Sequence, residues 1–164
     1  MVGSSGPGPI LRFSGRESDD DRGNGSGSSK SAEAKARLQL SVLVVDDVED
    51  TRDLYQRYFQ FQGARVLTAD EGKAALRAAE SELPDVIVLD LAMPGMTGWE
   101  VIRYLKSNPA TESIPVVVLS GQGARESALQ AGAASYREKP CLPDELMAEL
   151  LRVVAQPGSP GGRN

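Results

Sequence analysis

From about residue 38 to residue 156, short apolar runs alternate with segments whose apolar residues recur every three or four positions. The runs cover residues 41–45, 64–68, 85–89, 114–119 and 133–136. Val42-Leu43-Val44-Val45, Val86-Ile87-Val88-Leu89 and Val116-Val117-Val118-Leu119 are continuously apolar and rich in β-branched residues, as expected of parallel strands covered on both faces. The segments between them predict amphipathic helices. Leu54, Tyr58 and Phe61 share one stripe, Ile102 and Leu105 another, and Leu146, Leu150 and Val153 a third. Asp70 is placed to cap the second helix, Pro115 opens the fourth strand, and Pro143 with Asp144 and Glu145 suits the first turn of the last helix. Five β-then-α units in succession imply an α/β fold, a doubly wound parallel sheet with right-handed crossovers. Its ligand site is expected beyond the carboxyl ends of the strands.

The flanks read differently. Residues 1–37 are dominated by Gly, Ser, Pro and charge, and offer too little apolar surface to offset the entropy of ordering, so a disordered arm is expected there. Within it, Asp19-Asp20-Asp21 reads as a solvated charge run, and residues 32–38 could form a turn or two of helix. Residues 157–164 are again a Pro- and Gly-rich tail, leaving 38–156 as one folded domain. The formal net charge of −5 argues against binding nucleic acid or anionic lipid directly. No apolar run is long enough to enter a membrane as a span, and the single cysteine, Cys141, suits a reducing, cytoplasmic setting as a small buried hydrophobe. Histidine is absent, so any chemistry falls to carboxylates, hydroxyls, Lys139 or the lone thiol.

The residues that follow the strong strands narrow the field. Asp46-Asp47 follows the first, Asp90 the third, Ser120 the fourth, and Lys139 stands beside the fifth. Singly, each has a plainer role: an Asp or Ser after a strand is most often a turn former or a cap, and a Lys before Pro a solvated charge. Together they converge on one edge of one sheet. Clustered carboxylates disfavour joint ionisation unless a cation is present, and an all-oxygen set without His or Cys suits Mg²⁺. A carboxylate beside such an ion can attack phosphorus, while a lysine neutralises charge on the transferred oxygens.

With those residues in view, the chain resembles the receiver domains of two-component response regulators from about Ser41 to Ala155. The resemblance rests on Val44-Val45-Asp46-Asp47, on Leu89-Asp90-Leu91-Ala92-Met93-Pro94-Gly95-Met96-Thr97-Gly98, on Val118-Leu119-Ser120-Gly121, on Ala131-Gly132-Ala133, and on Tyr136 followed by Lys139-Pro140. It implies a flavodoxin-like five-unit fold with strand order 2-1-3-4-5. It also implies Asp90 as phosphoacceptor, Asp47 as a direct metal ligand, Asp46 as a second acid acting through water, and the backbone carbonyl of Ala92 as a further ligand. Ser120 and Tyr136 would form a switch pair, Lys139 would contact the phosphoryl group, and Lys139-Pro140 would be cis. Without histidine the chain is not its own donor, so the resemblance implies a histidine kinase or phosphotransfer protein as donor and a separate protein as the downstream partner.

The sequence departs from the family pattern in places. Thr97 stands where Asp is more usual, and the stretch from Ser120 to Tyr136 is about a helical turn short, which predicts a stubby fourth helix. That shortening trims the surface of helix four, strand five and helix five through which relatives form homodimers or pass on output. Tyr136 also has a plainer role as a half-buried strand residue with its hydroxyl in water. Ala92 and Gln122 flank the reaction centre, where they could tune the lifetime of the phosphorylated form. Two rival functions remain. An aspartyl-phosphate phosphohydrolase normally carries a second Asp two residues after its nucleophile, where this chain has Ala92, and a pseudo-receiver would lack part of the acid set. The expectation is therefore a signalling domain, not an enzyme.

Overall fold

A computed structural model describes residues 39–121 and 123–156. The arm at 1–37, Asp19-Asp20-Asp21, the turn at 32–38, Gln122 and the tail at 157–164 lie outside the described residues. The elements run β1 (Ser41–Val45), α1 (Glu49–Phe61), β2 (Arg65–Ala69), α2 (Gly72–Glu82), β3 (Val86–Leu89), α3 (Gly98–Ser107), β4 (Val116–Ser120), α4 (Arg125–Gln130), β5 (Ser135–Glu138) and α5 (Pro143–Val154). All strand pairs are parallel and the sheet order is β2-β1-β3-β4-β5.

Alternation along the strands divides the core in two. Leu43, Val45, Ile87, Leu89, Val116 and Val118 pack with Ala75, Ala79, Val101, Ile102, Leu105 and Ala128 of α2, α3 and α4. Val42, Val44, Val86, Val88, Val117 and Leu119 pack with Tyr55 and Phe59 of α1 and with Leu146, Leu150 and Val153 of α5. Each fully buried aliphatic or aromatic side chain contributes about 1.5–3 kcal/mol. The central strands need apolar residues at every position because both of their faces are covered.

Three expectations are corrected. In α1 the buried stripe is Tyr55 and Phe59, whereas Leu54 and Phe61 are 52 % and 71 % exposed and Tyr58 is half-buried. The helix is turned by one residue because the Tyr55 hydroxyl donates to the Cys141 carbonyl at 2.7 Å and its ring stacks on Phe59. At α2 the N-cap position is Glu71, not Asp70, and no side chain caps it. Gly72, the first residue of the helix, packs so close to Met96 that a Cβ there would stand 2.8 Å from the Met96 Cβ. The fourth and fifth strands begin at Val116 and Ser135, two residues later than the runs at 114–119 and 133–136 suggest.

Thr97, at the position where Asp is usual, caps α3. Its hydroxyl accepts the Glu100 N–H at 3.3 Å, and Glu100 in return accepts the Thr97 N–H at 2.9 Å, a complete capping box. The fourth helix is short, six residues, as its sequence spacing predicts. The Lys139-Pro140 bond is cis. Among the described residues no helix is long and apolar enough to cross a membrane.

A buried acid joins β5 to α5. Glu149 accepts hydrogen bonds from the Ser135 hydroxyl, from Arg137 Nη2 at 3.1 Å and from Arg152 Nε at 3.1 Å. The Arg152 guanidinium holds its carboxyl well below the usual range, at about 2, against burial and with help from Ser135 and Arg137. A depressed acid stabilises the fold fully above its unfolded value, near 4.5, and the stabilisation disappears as pH falls toward 2. Both arginines are about half exposed, so solvent screening weakens this stabilisation without removing it. Urea midpoints measured from pH 6 to pH 2.5 should therefore fall more steeply for the wild type than for Glu149→Gln. Parallel curves would show that Glu149 carries no such role.

Candidate functional site

The strand ends bring the polar residues together. Register pairs Val45 with Leu89, and the Asp90 N–H donates to the Val45 carbonyl at 3.0 Å, so the residues following β1 and β3 lie side by side. Ser120 pairs with Glu138, and the Lys139 N–H donates to the Ser120 carbonyl at 3.0 Å, which brings Lys139 to the same edge.

There, Asp46, Asp47 and Asp90 each present a carboxylate oxygen, all within 4.8 Å of one another. Asp46 and Asp90 are buried and Asp47 is exposed. Asp46 Oδ1 accepts the Val48 N–H at 2.9 Å, and its Oδ2 accepts Lys139 Nζ at 2.7 Å. Asp90 Oδ1 accepts the Ala92 N–H at 3.2 Å, and its Oδ2 lies 3.5 Å from Lys139 Nζ. Burial pushes the Asp90 carboxyl up, with the charge of Asp46 adding to it; the Ala92 amide and the Lys139 charge pull the other way without cancelling the rise. Burial would lower Lys139, but its hydrogen bond and charge interaction with Asp46, together with the charge of Asp90, outweigh this and raise it. With all groups ionised, three acids against one ammonium leave the cup two negative charges in excess, the charge one divalent cation would neutralise.

The donor set fits Mg²⁺. It is all carboxylate, and oxygens around one octahedral ion stand at most about 4.2 Å apart, so the observed spread needs only a small contraction. Asp46, Asp47 and Asp90 each have an oxygen available to such an ion, and the second oxygen of Asp46 accepts Lys139 Nζ.

The remaining predicted residues have clear places. Ala92 is exposed beside Asp90 with its amide on the carboxylate. Ser120 is fully buried at the end of β4. Tyr136 is 2 % exposed and faces the core with α3 and α4; its hydroxyl accepts the Ala124 N–H at 3.2 Å, and its carbonyl accepts Arg125 Nη1 at 3.2 Å. The half-buried reading of Tyr136, with its hydroxyl in water, is thus corrected. Cys141 is buried. An open groove of about 500 Å³ on α3, lined by Trp99, Arg103 and Lys106 among others, contains none of the cup residues. Sequence reasoning missed Arg52, whose guanidinium donates to the Asp46 carbonyl at 2.7 Å. Its one signal is a cation in the first turns of α1, where acids are the favoured sign.

The model for the response regulator receiver domain matches residues 42–151. The chain belongs to the response regulator receiver family. This receiver is 40 % identical over 120 residues to an uncharacterized 14.6 kDa protein of Leptolyngbya boryana, covering 71 % of the chain and 88 % of that protein. It is 43 % identical over 102 residues to the response regulator PleD of Caulobacter vibrioides, covering 60 % of the chain and 22 % of PleD. Among solved structures, the chemotaxis response regulator CheY4 of Vibrio cholerae superposes with a TM-score of 0.67 at 30 % identity, over 70 % of this chain and 98 % of that one. The receiver spans about a fifth of PleD and half of the response regulator MprA of Mycolicibacterium vanbaalenii. Receiver domains are signalling domains of two-component systems, and phosphoryl acceptance with conformational switching is their general function.

Proposed function

We propose that this receiver takes a phosphoryl group on Asp90 from a phosphohistidine of a histidine kinase or phosphotransfer protein, with Mg²⁺ bound by Asp47, Asp90 and the Ala92 carbonyl. The observation that carries the reading is the meeting of Asp46, Asp47, Asp90 and Lys139 at one edge of the sheet. An Asp90 oxygen forms the new P–O bond as the donor's P–N bond breaks, and the electron pair leaves with the imidazole, which takes up a proton. When bound, the metal supplies charge neutralisation at the acids and at the transferred oxygens. Asp46 holds Lys139 Nζ 3.5 Å from Asp90 Oδ2, close enough for the ammonium to turn onto an incoming phosphoryl oxygen. Ser120 supplies a hydroxyl to the same group, and with the buried Tyr136 it forms the switch pair.

The arriving dianion biases two arrangements of Ser120, at the end of β4, and of the start of α4 at Ala124. A change from mostly off to mostly on needs a differential of about 5.5 kcal/mol, within the range of several charge-assisted hydrogen bonds. The output passes to a separate protein partner or to a second copy of the chain. A phosphohydrolase is disfavoured because Ala92 stands two residues after Asp90, where such enzymes carry their general acid, and a pseudo-receiver because the acid set, Ser120 and Lys139 are all present. Acetyl phosphate with Mg²⁺ should label the protein with an acid-stable, base-labile phosphate, and removing Mg²⁺ with EDTA should abolish the labelling. Sustained turnover of p-nitrophenyl phosphate would favour the hydrolase, and no labelling at millimolar Mg²⁺ would favour the pseudo-receiver.

A further inference from the structure

Arg52 sits in the first turns of α1, where unpaired backbone amides concentrate positive charge and Glu49 and Asp50 have the favoured sign. Its guanidinium leans back toward the helix start, as helical side chains do, and Nη1 donates to the Asp46 carbonyl at 2.7 Å. The other polar groups of Asp46 are occupied by different elements. Its N–H donates to the Ala69 carbonyl at 3.2 Å at the end of β2, Oδ1 accepts the Val48 N–H, and Oδ2 accepts Lys139 Nζ. Arg52 therefore holds the peptide that links Asp46 to Asp47. That peptide is planar, so fixing its carbonyl fixes the direction in which the chain enters Asp47. Among the described residues, no hydrogen bond holds the Asp47 carboxylate itself.

We propose that Arg52 is a positioning residue for the metal site, orienting Asp47 through the Asp46 backbone; the proposal rests on the reading of the acidic cup as a Mg²⁺ site. Geometry and charge predict opposite signs. A nearby positive charge acting on its own repels a divalent cation, so deleting it would tighten Mg²⁺ binding. A positioning role means that deletion weakens binding, and groups that orient metal ligands from behind are typically worth 10–100-fold in affinity.

The test is calorimetric titration of Mg²⁺ into the wild type, Arg52→Met and Arg52→Lys, with amide hydrogen exchange at Val48 in the metal-free proteins. The Kd of Arg52→Met should rise about tenfold. Arg52→Lys should recover most of the loss, and the Val48 amide, which depends on Asp46 Oδ1, should exchange faster in the methionine variant before any metal is added. Should Arg52→Met fail to fold, Arg52→Gln, too short to reach the carbonyl, carries the same expectation. An unchanged or lower Kd in a folded neutral variant overturns the role of Arg52 while leaving the cup intact. A wild type that takes up no Mg²⁺ overturns both.

Discussion

Asp90→Asn is expected to lower phosphoryl uptake from acetyl phosphate by roughly 10³-fold or more, in practice to nothing detectable, because an amide oxygen without charge is a poor nucleophile toward phosphorus. The substitution is nearly isosteric, and the Asn oxygen can still accept the Ala92 N–H. Stability separates this loss from misfolding. Burial raises the Asp90 carboxyl, so its ionisation opposes folding: the contribution favours the fold below the unfolded value, near 3.8, and is lost as pH rises through the folded one. Without metal, Asp90→Asn should thus melt above the wild type at pH 7 and converge with it at acid pH. Added Mg²⁺ should raise the melting temperature of the wild type more than that of the variant, since stabilisation follows the affinity of the folded state for the ligand. Labelling of the variant at a tenth of the wild-type level or more would mean that another carboxylate, Asp47 first, accepts the group.

The strands and the edge they share were legible because both are local signals. A strand covered on both faces must be apolar throughout, and the first polar residue after it marks the sheet edge, so Asp46, Asp90 and Ser120 could be placed before their neighbours were known. The rotation of α1 was not legible. The stripes Leu54-Tyr58-Phe61 and Tyr55-Phe59 have the same spacing and differ by one residue, about 100° of turn, and a hydrogen bond to Cys141, 86 positions away, decides between them. Glu149 flanks the apolar stripe of the last helix, and spacing alone does not reveal its burial, because its partners Ser135 and Arg137 belong to another element. Thr97 was legible and overlooked, because Thr97-Gly98-Trp99-Glu100 has capping-box spacing. The contact of Arg52 with a backbone carbonyl leaves no trace in any pattern of side-chain types.

Gly98→Ala should be among the most damaging single substitutions outside the acids, although it adds one methyl group. Gly98 is the first residue of α3 and is buried; its N–H donates to the Leu91 carbonyl at 3.1 Å. A Cβ there would lie 2.4 Å from the Asp90 carbonyl oxygen and 2.6 Å from the Leu91 Cα. Both are backbone atoms, so no side chain can turn aside. Relief requires α3 to withdraw, which strips contacts from Val101, Ile102 and Leu105 in the core, or the Asp90-Leu91 peptide to move, which shifts the phosphoacceptor. Overpacking of this kind costs about 2–4 kcal/mol, a fall of roughly 10 °C in melting temperature for a domain of this size. Displacing a reacting group by about 1 Å can cost 10²-fold in rate, so labelling by acetyl phosphate should fall even at a temperature where the variant is fully folded. Gly121→Ala is the matched control for stability, because among the described residues a Cβ there meets nothing within 4 Å. If Gly98→Ala melted within 2 °C of that control and were labelled as fast as the wild type, the close approach of α3 to the Asp90 backbone would not be what fixes the acid in place.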